Sequence, residues 1–286
     1  MPELPEVQTI ATQLNKVLRG SVFSSVSILR DKSAQSDLSF LVGKKVGRVS
    51  RLAKQIMFEF KKEEGVLLIH LKMTGQLIYQ SKKNTERVVG GHPTKDWVEK
   101  LPSSHTRIVA EFSDGSSLYF NDQRVFGWWK IVLKNELKKI IDKLPPDVVD
   151  SKFDTGYLSG VFSKSGRAIK LVILDQQKMG GMGNIYANDA LWMARIDPRK
   201  PANKLKKIEI SKLRKEMVKV LGEGIELGGA SISDYVHVSG VGGGYQDVMR
   251  VYEKAGEVCG RSGCGGVIEK VRLGGRGTYF CPVCQA

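Results

Sequence analysis

Apolar positions along the chain change their period near residue 20 and again near residue 150. Val7, Ile10, Leu14, Val17 and Leu18 recur at helical spacing, which gives one face of a helix its apolar stripe. Pro5 suits the first helical position and Gly20 the C-terminal cap. A helix therefore begins near Pro5 and carries Glu6 in its first turn, where unpaired amides favour a carboxylate. Beyond Gly20 the pattern becomes short alternating runs, at 22–29, 45–51, 56–60, 66–71, 77–79, 108–112, 117–120 and 129–133. About eight short strands separated by polar turns predict a β-sandwich or barrel, and argue against an alternating βαβ sheet. The lysine-rich stretch 80–104 reads as a long solvated loop.

Residues 134–150 carry lysines and the Pro145-Pro146 pair and read as a linker. From Asp154 helical periodicity dominates, with helices expected at 157–162, from 169, and over 185–195. Gly180, Gly181, Met182, Gly183 and Asn184 form a glycine-rich turn ahead of the third, so helix, turn and helix follow one another. Amides and the Asn184 side chain at a helix start suit a phosphate. The same pattern also fits an ordinary αα-turn.

Cys259, Cys264, Cys281 and Cys284 all fall in the last 28 residues, as two pairs around a 16-residue excursion. That spacing predicts a tetrahedral four-thiolate zinc site; two disulfides are the alternative. No apolar run reaches the ~18 residues of a membrane span, and the start Met1-Pro2-Glu3 is acidic where a secretory leader is basic. A cytoplasmic chain is expected, and there disulfides are rare. The first pair is Cys-x4-Cys, an enlarged knuckle to which Gly260, Gly263, Gly265 and Gly266 lend flexible backbone. Between the pairs, 267–273 and 278–280 flank Gly274-Gly275 as a hairpin, with Arg276 at or just after its tip.

Charge narrows the partner. Forty-five Lys and Arg against 30 Asp and Glu leave +15 over 286 residues, with a pI near 9.6. Such an excess predicts a polyanion, either nucleic acid or a membrane surface. Solvated lysine faces alone also produce it.

The N-terminus adds chemistry. Removal of Met1 leaves Pro2 as a free secondary amine followed at once by the Glu3 carboxylate. An α-amine has a pKa near ~7.7–8 against ~10.4 for lysine, so much more of it is nucleophilic at neutral pH. Attack on a sugar C1′ would give a permanently cationic iminium, an electron sink like a lysine Schiff base. Read alone, Pro-Glu at a terminus equally fits a processing signal.

The string Pro2-Glu3-Leu4-Pro5-Glu6-Val7 resembles the start of the formamidopyrimidine-DNA glycosylases, bacterial 8-oxoguanine repair enzymes. The resemblance returns at Lys54, at 70–75, 121–127 and 181–191, and at the cysteines, so it spans nearly the whole chain. It implies an α+β fold in four parts. These are a catalytic β-sandwich with its N-terminal helix over 1–133, a linker over 134–150, a helix–two-turn–helix domain over 151–246 and a zinc-finger hairpin over 247–286. It implies a monomer in the bacterial cytosol that acts on damaged double-stranded DNA, has no membrane partner and holds one structural Zn2+. The activity implied is excision of oxidised purines followed by β,δ-elimination. Pro2 would be the nucleophile, Glu3 the acid at the sugar ring oxygen, Glu6 the support of the helix start, and Lys54 a lysine near the lesion. Met73, Arg124 and Phe126 would fill the stack vacated by a flipped nucleotide, with core packing the alternative for Met73 and Phe126. His70, Asn184, Tyr245 and Arg276 would contact DNA. A glycine-rich loop over 239–244 would fold over the everted base.

Two departures stand out. Asp189 holds a place where the family usually has glutamate, and the family's first knuckle is commonly Cys-x2-Cys. Two other readings remain open at this point. One is the endonuclease VIII-like branch for oxidised pyrimidines, which typically begins Pro-Glu-Gly-Pro-Glu where this chain has Leu4. The other is a non-catalytic zinc-dependent nucleic-acid-binding protein.

Overall fold

A computed structural model describes residues 2–83, 85–92, 100–230 and 243–285. The chain divides into two compact units, Met1–Lys143 with Leu227–Gly244, and Leu144–Glu226 with Tyr245–Ala286.

The first unit starts with α1, Leu4–Leu18, whose Val7, Ile10, Ala11, Leu14 and Leu18 are all buried. Its start is closed by a reciprocal capping box between Glu3 and Glu6, with the Glu3 amide donating to Glu6 Oε2 at 2.7 Å. A box of this kind satisfies two otherwise orphaned amides. Gly20, at φ +95°, ends the helix as the spacing predicts.

Among the described residues nine strands follow: β1 Phe23–Ile28, β2 Val46–Leu52, β3 Gln55–Phe60, β4 Gly65–His70, β5 Gly75–Gln80, β6 Arg87–Gly91, β7 Thr106–Phe112, β8 Ser117–Asp122 and β9 Trp128–Leu133. They form two antiparallel sheets, in the orders β1-β7-β8-β5-β6 and β2-β3-β4-β9. Phe23, Phe58, Ile69, Leu77, Ile108, Phe120 and Trp129 join the apolar face of α1 in one buried core between them. The far face of the smaller sheet is covered by α2, Lys134–Lys143, through Leu137 and Ile140 on Val66, Leu68 and Val132.

Three expectations change here. The loop expected over 80–104 contains β6. Its sequence Arg-Val-Val-Gly-Gly offers little alternation, and the strand exists because it pairs with β5 and because Gly90 lies against α1. A Cβ on Gly90 would sit 2.2 Å from Ile10 Cγ1, so the glycine admits the helix. The linker expected over 134–150 is partly helix α2, which belongs to the first unit. The described residues 227–230, 243 and 244 group with the first unit and not with the helical domain. The Ala230 amide donates to Glu6 Oε1 at 2.7 Å, which ties this segment to the start of α1.

The second unit holds α3 Thr155–Ser163, α4 Ile169–Ile173, α5 Asn184–Ala194 and α6 Lys207–Glu226, then the hairpin β10 Glu269–Leu273 and β11 Arg276–Phe280. Asp154 caps α3 by accepting the Tyr157 amide at 2.7 Å. Helix α6 buries Ile210, Leu213, Met217, Val220 and Leu221, a stripe at three- and four-residue spacing.

Candidate active site and nucleic-acid interface

Backbone register collects most of the candidate residues at one end of the sandwich. Helix α1 runs antiparallel to β2: Gly20 N donates to Val46 O, Asn15 Oδ1 accepts the Val49 amide, and Gln8 Oε1 accepts Arg51 Nε. The N-terminal end of α1, with Pro2 and Glu3, therefore lies toward the β2–β3 turn. Arg51 Nη1 also donates to Ala53 O at 2.8 Å and clamps that turn, where Ala53 has φ +51° and Lys54 follows. Lys54 is buried, as are Pro2 and Glu3. Ile56 pairs with Ile69, so the last residue of β4, His70, is at the same end.

From His70 the chain turns through Lys72, at φ +53°, into β5. Gly75 is required there, because a Cβ would lie 2.3 Å from Leu71 O. Gly75 pairs with Asp122, which sets the turn carrying Met73 beside the 121–127 loop carrying Arg124 and Phe126. Asp122 is buried and organises both. It accepts the Arg124, Phe126 and Gly127 amides at 3.2, 2.8 and 2.6 Å, and the Thr74 hydroxyl as well. Hydrogen bonds to a charged acceptor are worth ~1.5–3 kcal/mol each, enough to hold Val125 at φ +54° against its steric preference. Sequence reasoning misses Asp122 as a positioning residue; its place two residues before Arg124, with Gly127 at the far end, is the signal.

Met73 and Phe126 are 38% and 45% exposed, so neither is a core residue. Arg124 stacks on Phe126 with its guanidinium carbon 4.6 Å from the ring centre. Two apolar side chains and a planar cation thus project together from braced turns.

His70 is electrostatically distinct. Burial, then the charges of Lys72 and Lys54, pull its pKa from 6.5 down to about 4. Its Nδ1 accepts the Lys72 amide at 3.1 Å, so the hydrogen resides on Nε2, which can only donate. A neutral donor beside two lysines suits a phosphate oxygen. Because the folded-state pKa is depressed, His70 contributes stability above the unfolded pKa of ~6.5, and that contribution is lost as pH falls toward 4. Denaturant titrations at pH 7, 5.5 and 4.5 should show His70→Gln with a flatter fall in stability than the parent protein; equal slopes would contradict the assignment.

In the second unit, Asn184 opens α5 and its Nδ2 donates to Gly277 O at 3.1 Å. Lys170, fully buried, donates to the same oxygen at 2.7 Å and to Thr278 Oγ1 at 2.8 Å. Asn188 Oδ1 accepts the Tyr279 amide at 2.9 Å. Three side chains thus fix the strand next to exposed Arg276, which pairs with Leu273 directly after the turn. Lys170 is a second residue that sequence reasoning misses; a lysine among the apolar residues of α4 is its only sequence mark.

Asp189, shorter than the family's usual glutamate, is fully buried and accepts Tyr245 Oη at 3.0 Å and the Arg250 and Val251 amides at 3.1 Å. Tyr245, expected on the DNA face, is instead buried against Tyr186 with ring centres 4.6 Å apart, and its hydroxyl is committed to Asp189. Tyr252 is half-buried, with its ring centre 5.0 Å from that of Tyr279. Of the loop expected over 239–244, only Gly243 and Gly244 are among the described residues.

The four cysteine sulfurs lie within 4.8 Å of one another. Cys259 and Cys284 are 3.9 Å apart, Cys264 and Cys281 3.5 Å. A disulfide needs ~2.05 Å, whereas tetrahedral zinc with ~2.3 Å bonds needs sulfurs roughly 3.8 Å apart. The thiolates fit zinc, and four protein ligands leave no open position, so the metal would be structural.

A sandwich with Met73, Arg124 and Phe126 exposed at one end, and a helical unit with a four-cysteine hairpin that fits zinc, are the features expected of a zinc-finger enzyme that works on DNA. Comparisons with known proteins make this specific. Residues 1–129 match the formamidopyrimidine-DNA glycosylase N-terminal domain, 144–236 its H2TH domain, and 256–286 the zinc finger found in these glycosylases and in isoleucyl-tRNA synthetase. The formamidopyrimidine-DNA glycosylase of Streptococcus pneumoniae is 34% identical over all of this chain and 99% of its own, and that of an Exiguobacterium species is 35% identical over the same shares. The Lactococcus lactis enzyme, solved in complex with Fapy-dG containing DNA, superposes with a TM-score of 0.84 at 30% identity, with 99% of each chain covered. The chain belongs to the formamidopyrimidine-DNA glycosylase family.

Proposed function

We propose that the chain is a bifunctional glycosylase and AP lyase that excises oxidised purines from duplex DNA, with Pro2 as its nucleophile. The observation that carries this is the convergence of Pro2, Glu3, Lys54, His70, Met73, Arg124 and Phe126 at one end of the sandwich. A stacked nucleotide hides its C1′, so the reaction begins with eversion, at a cost of a few kcal/mol. Met73 and Phe126 fill the vacated step as apolar wedges, and the Arg124 fork faces the acceptor edge of the orphaned base.

Glu3 protonates the sugar ring oxygen. The Pro2 nitrogen forms a bond to C1′ while the C1′–base bond breaks, and the base leaves with a proton. The ring then opens: the C1′–O4′ bond breaks, O4′ leaves as the protonated hydroxyl, and the resulting iminium acidifies the C2′ hydrogen. β-Elimination expels the 3′ phosphate and δ-elimination the 5′ phosphate; water then hydrolyses the remaining iminium, which releases the unsaturated sugar fragment as an aldehyde and returns the amine. Glu6 holds the Glu3 amide and so keeps the first turn in place. In this reading Lys54 and His70 bind phosphate flanking the lesion, and Arg276 binds a backbone phosphate. Zinc, when bound, supplies only the cross-link of the finger.

The test is a rate comparison on duplexes carrying 8-oxoguanine, a formamidopyrimidine or thymine glycol. The two purine lesions should be released faster. Since the L. lactis relative has also been solved with DNA containing an oxidised pyrimidine, slow release of thymine glycol is compatible. Preference for thymine glycol would favour the endonuclease VIII-like reading, and no release of any lesion a purely binding protein. Separately, Arg276→Ala should weaken DNA binding with zinc retained, and should reduce the slope of log K against log salt by about 0.9, one phosphate contact. An unchanged slope would place Arg276 off the DNA.

A further inference from the structure

The lengthened first knuckle carries a cation to the zinc site. Arg261 lies in the four-residue insert between Cys259 and Cys264, and its Nε donates to Cys284 Sγ at 3.4 Å. Its Nη2 donates to Trp192 O at 2.5 Å, and its guanidinium carbon is 4.2 Å from the centre of the Trp192 ring. Trp192, on α5, in turn donates Nε1–H to Cys259 Sγ at 3.3 Å. One sulfur of each cysteine pair thus receives an N–H bond, and both donors belong to one stacked arginine–tryptophan pair.

Zinc with four thiolates carries a net charge of −2, and arginine is always charged. A guanidinium in direct contact with one thiolate offsets half of that charge. Donors to a ligand sulfur draw density from it and fix its orientation. A shorter loop brings the second cysteine of the pair sooner. The insert, with Gly263 at φ +71° and Gly265 just beyond at +65°, gives Arg261 room to reach across to the other pair.

We infer that Arg261 and Trp192 form an outer hydrogen-bonding shell of the zinc site that slows metal loss and locks the finger to α5, so that the insert is a functional addition to the knuckle. Loss of such partners typically weakens metal affinity by about 10–100-fold.

The test uses the zinc-loaded full-length protein. Zinc transfer to a chromogenic chelator is timed for the parent, Arg261→Ala, Arg261→Lys and Trp192→Phe. Arg261→Ala should release zinc about 10–100-fold faster. Arg261→Lys, which keeps the charge and loses the fork, should fall between. Trp192→Phe, which deletes one donor and keeps the ring, should accelerate release by a smaller factor and remains informative if Arg261→Ala fails to load zinc. A second readout separates hydrogen bonding from packing. In the cobalt-substituted protein, each lost donor should move the sulfur-to-cobalt charge-transfer band to lower energy. Faster release with an unmoved band would mean the two residues only pack, and unchanged release in all three variants would mean they do nothing for the metal; either outcome overturns the inference.

Discussion

Protein that retains Met1, or carries a tag ahead of Pro2, will give no borohydride-stable adduct with lesion DNA. It will lose base excision by at least about 10³-fold, on the scale of removing a covalent nucleophile. The reason is chemical. In the processed chain Pro2 is an α-amine, whose pKa near ~7.7–8 leaves a useful neutral fraction near neutral pH. With any residue before it, the same nitrogen is an amide with no basic lone pair. Pro2→Gly keeps an α-amine and should weaken trapping without abolishing it, since a primary amine gives a Schiff base that needs protonation to become as good an electron sink. Intact mass identifies the processed fraction, and borohydride trapping on a gel reads the adduct. Trapping that survives the tag would assign the nucleophile elsewhere. Lys54 is then the first candidate, because it is buried at the same end of the sandwich.

Much of this arrangement is written in local pattern, and the remainder is tertiary. Helix α1 and eight of the described strands follow from short apolar runs, some of which alternate cleanly, as in Ile56, Phe58 and Phe60 of β3, while β4 and β5 are buried along nearly their whole length. Strand β6 is hidden in the sequence because its reason for existing is a neighbour: Gly90 makes space for Ile10, and no local property of Arg-Val-Val-Gly-Gly announces that. Helix α6 shows the opposite case. It lies beyond the three helices expected from the sequence in this half, although its stripe from Ile210 to Leu221 has the same spacing that finds α1. The cysteine spacing points to zinc, but spacing is silent on Arg261, whose partner sulfur lies 23 residues away.

The residues proposed as wedges divide along the same line. Composition favours burial for Met73 and Phe126, and only family resemblance puts them at the surface. The structure supplies the missing physics: Asp122 consumes the amides of its own loop, and the backbone it fixes turns the side chains outward. Tyr245 goes the other way. A tyrosine after a glycine run resembles a recognition residue, but a buried carboxylate needs a donor, and Asp189 takes that hydroxyl. Burial raises the Asp189 pKa above the ordinary carboxylate value, opposed by the hydrogen bonds from the Arg250 and Val251 amides and from Tyr245.

Glu3→Gln should separate chemistry from binding. Glu3 is 4% exposed and serves twice, as the N-terminal partner of the Glu6 capping box and as the acid proposed at the sugar ring oxygen. Glutamine preserves the volume and keeps an oxygen that can accept the Glu6 amide, so the cap, worth ~1 kcal/mol, survives and the melting temperature should stay close to that of the parent. It cannot deliver a proton. General acid catalysis contributes ~10²–10⁴-fold, so excision of 8-oxoguanine in single-turnover assays should fall by that factor, while lesion-DNA affinity changes by less than about threefold. A pre-formed abasic site is the informative control. Its sugar is a hemiacetal that opens to an aldehyde without a protonated ring oxygen, so Pro2 can still condense with it, and strand cleavage there should persist far better than base excision. Loss of both activities together would assign Glu3 to holding the Pro2 amine in place. Near-parental excision would remove it from the mechanism altogether.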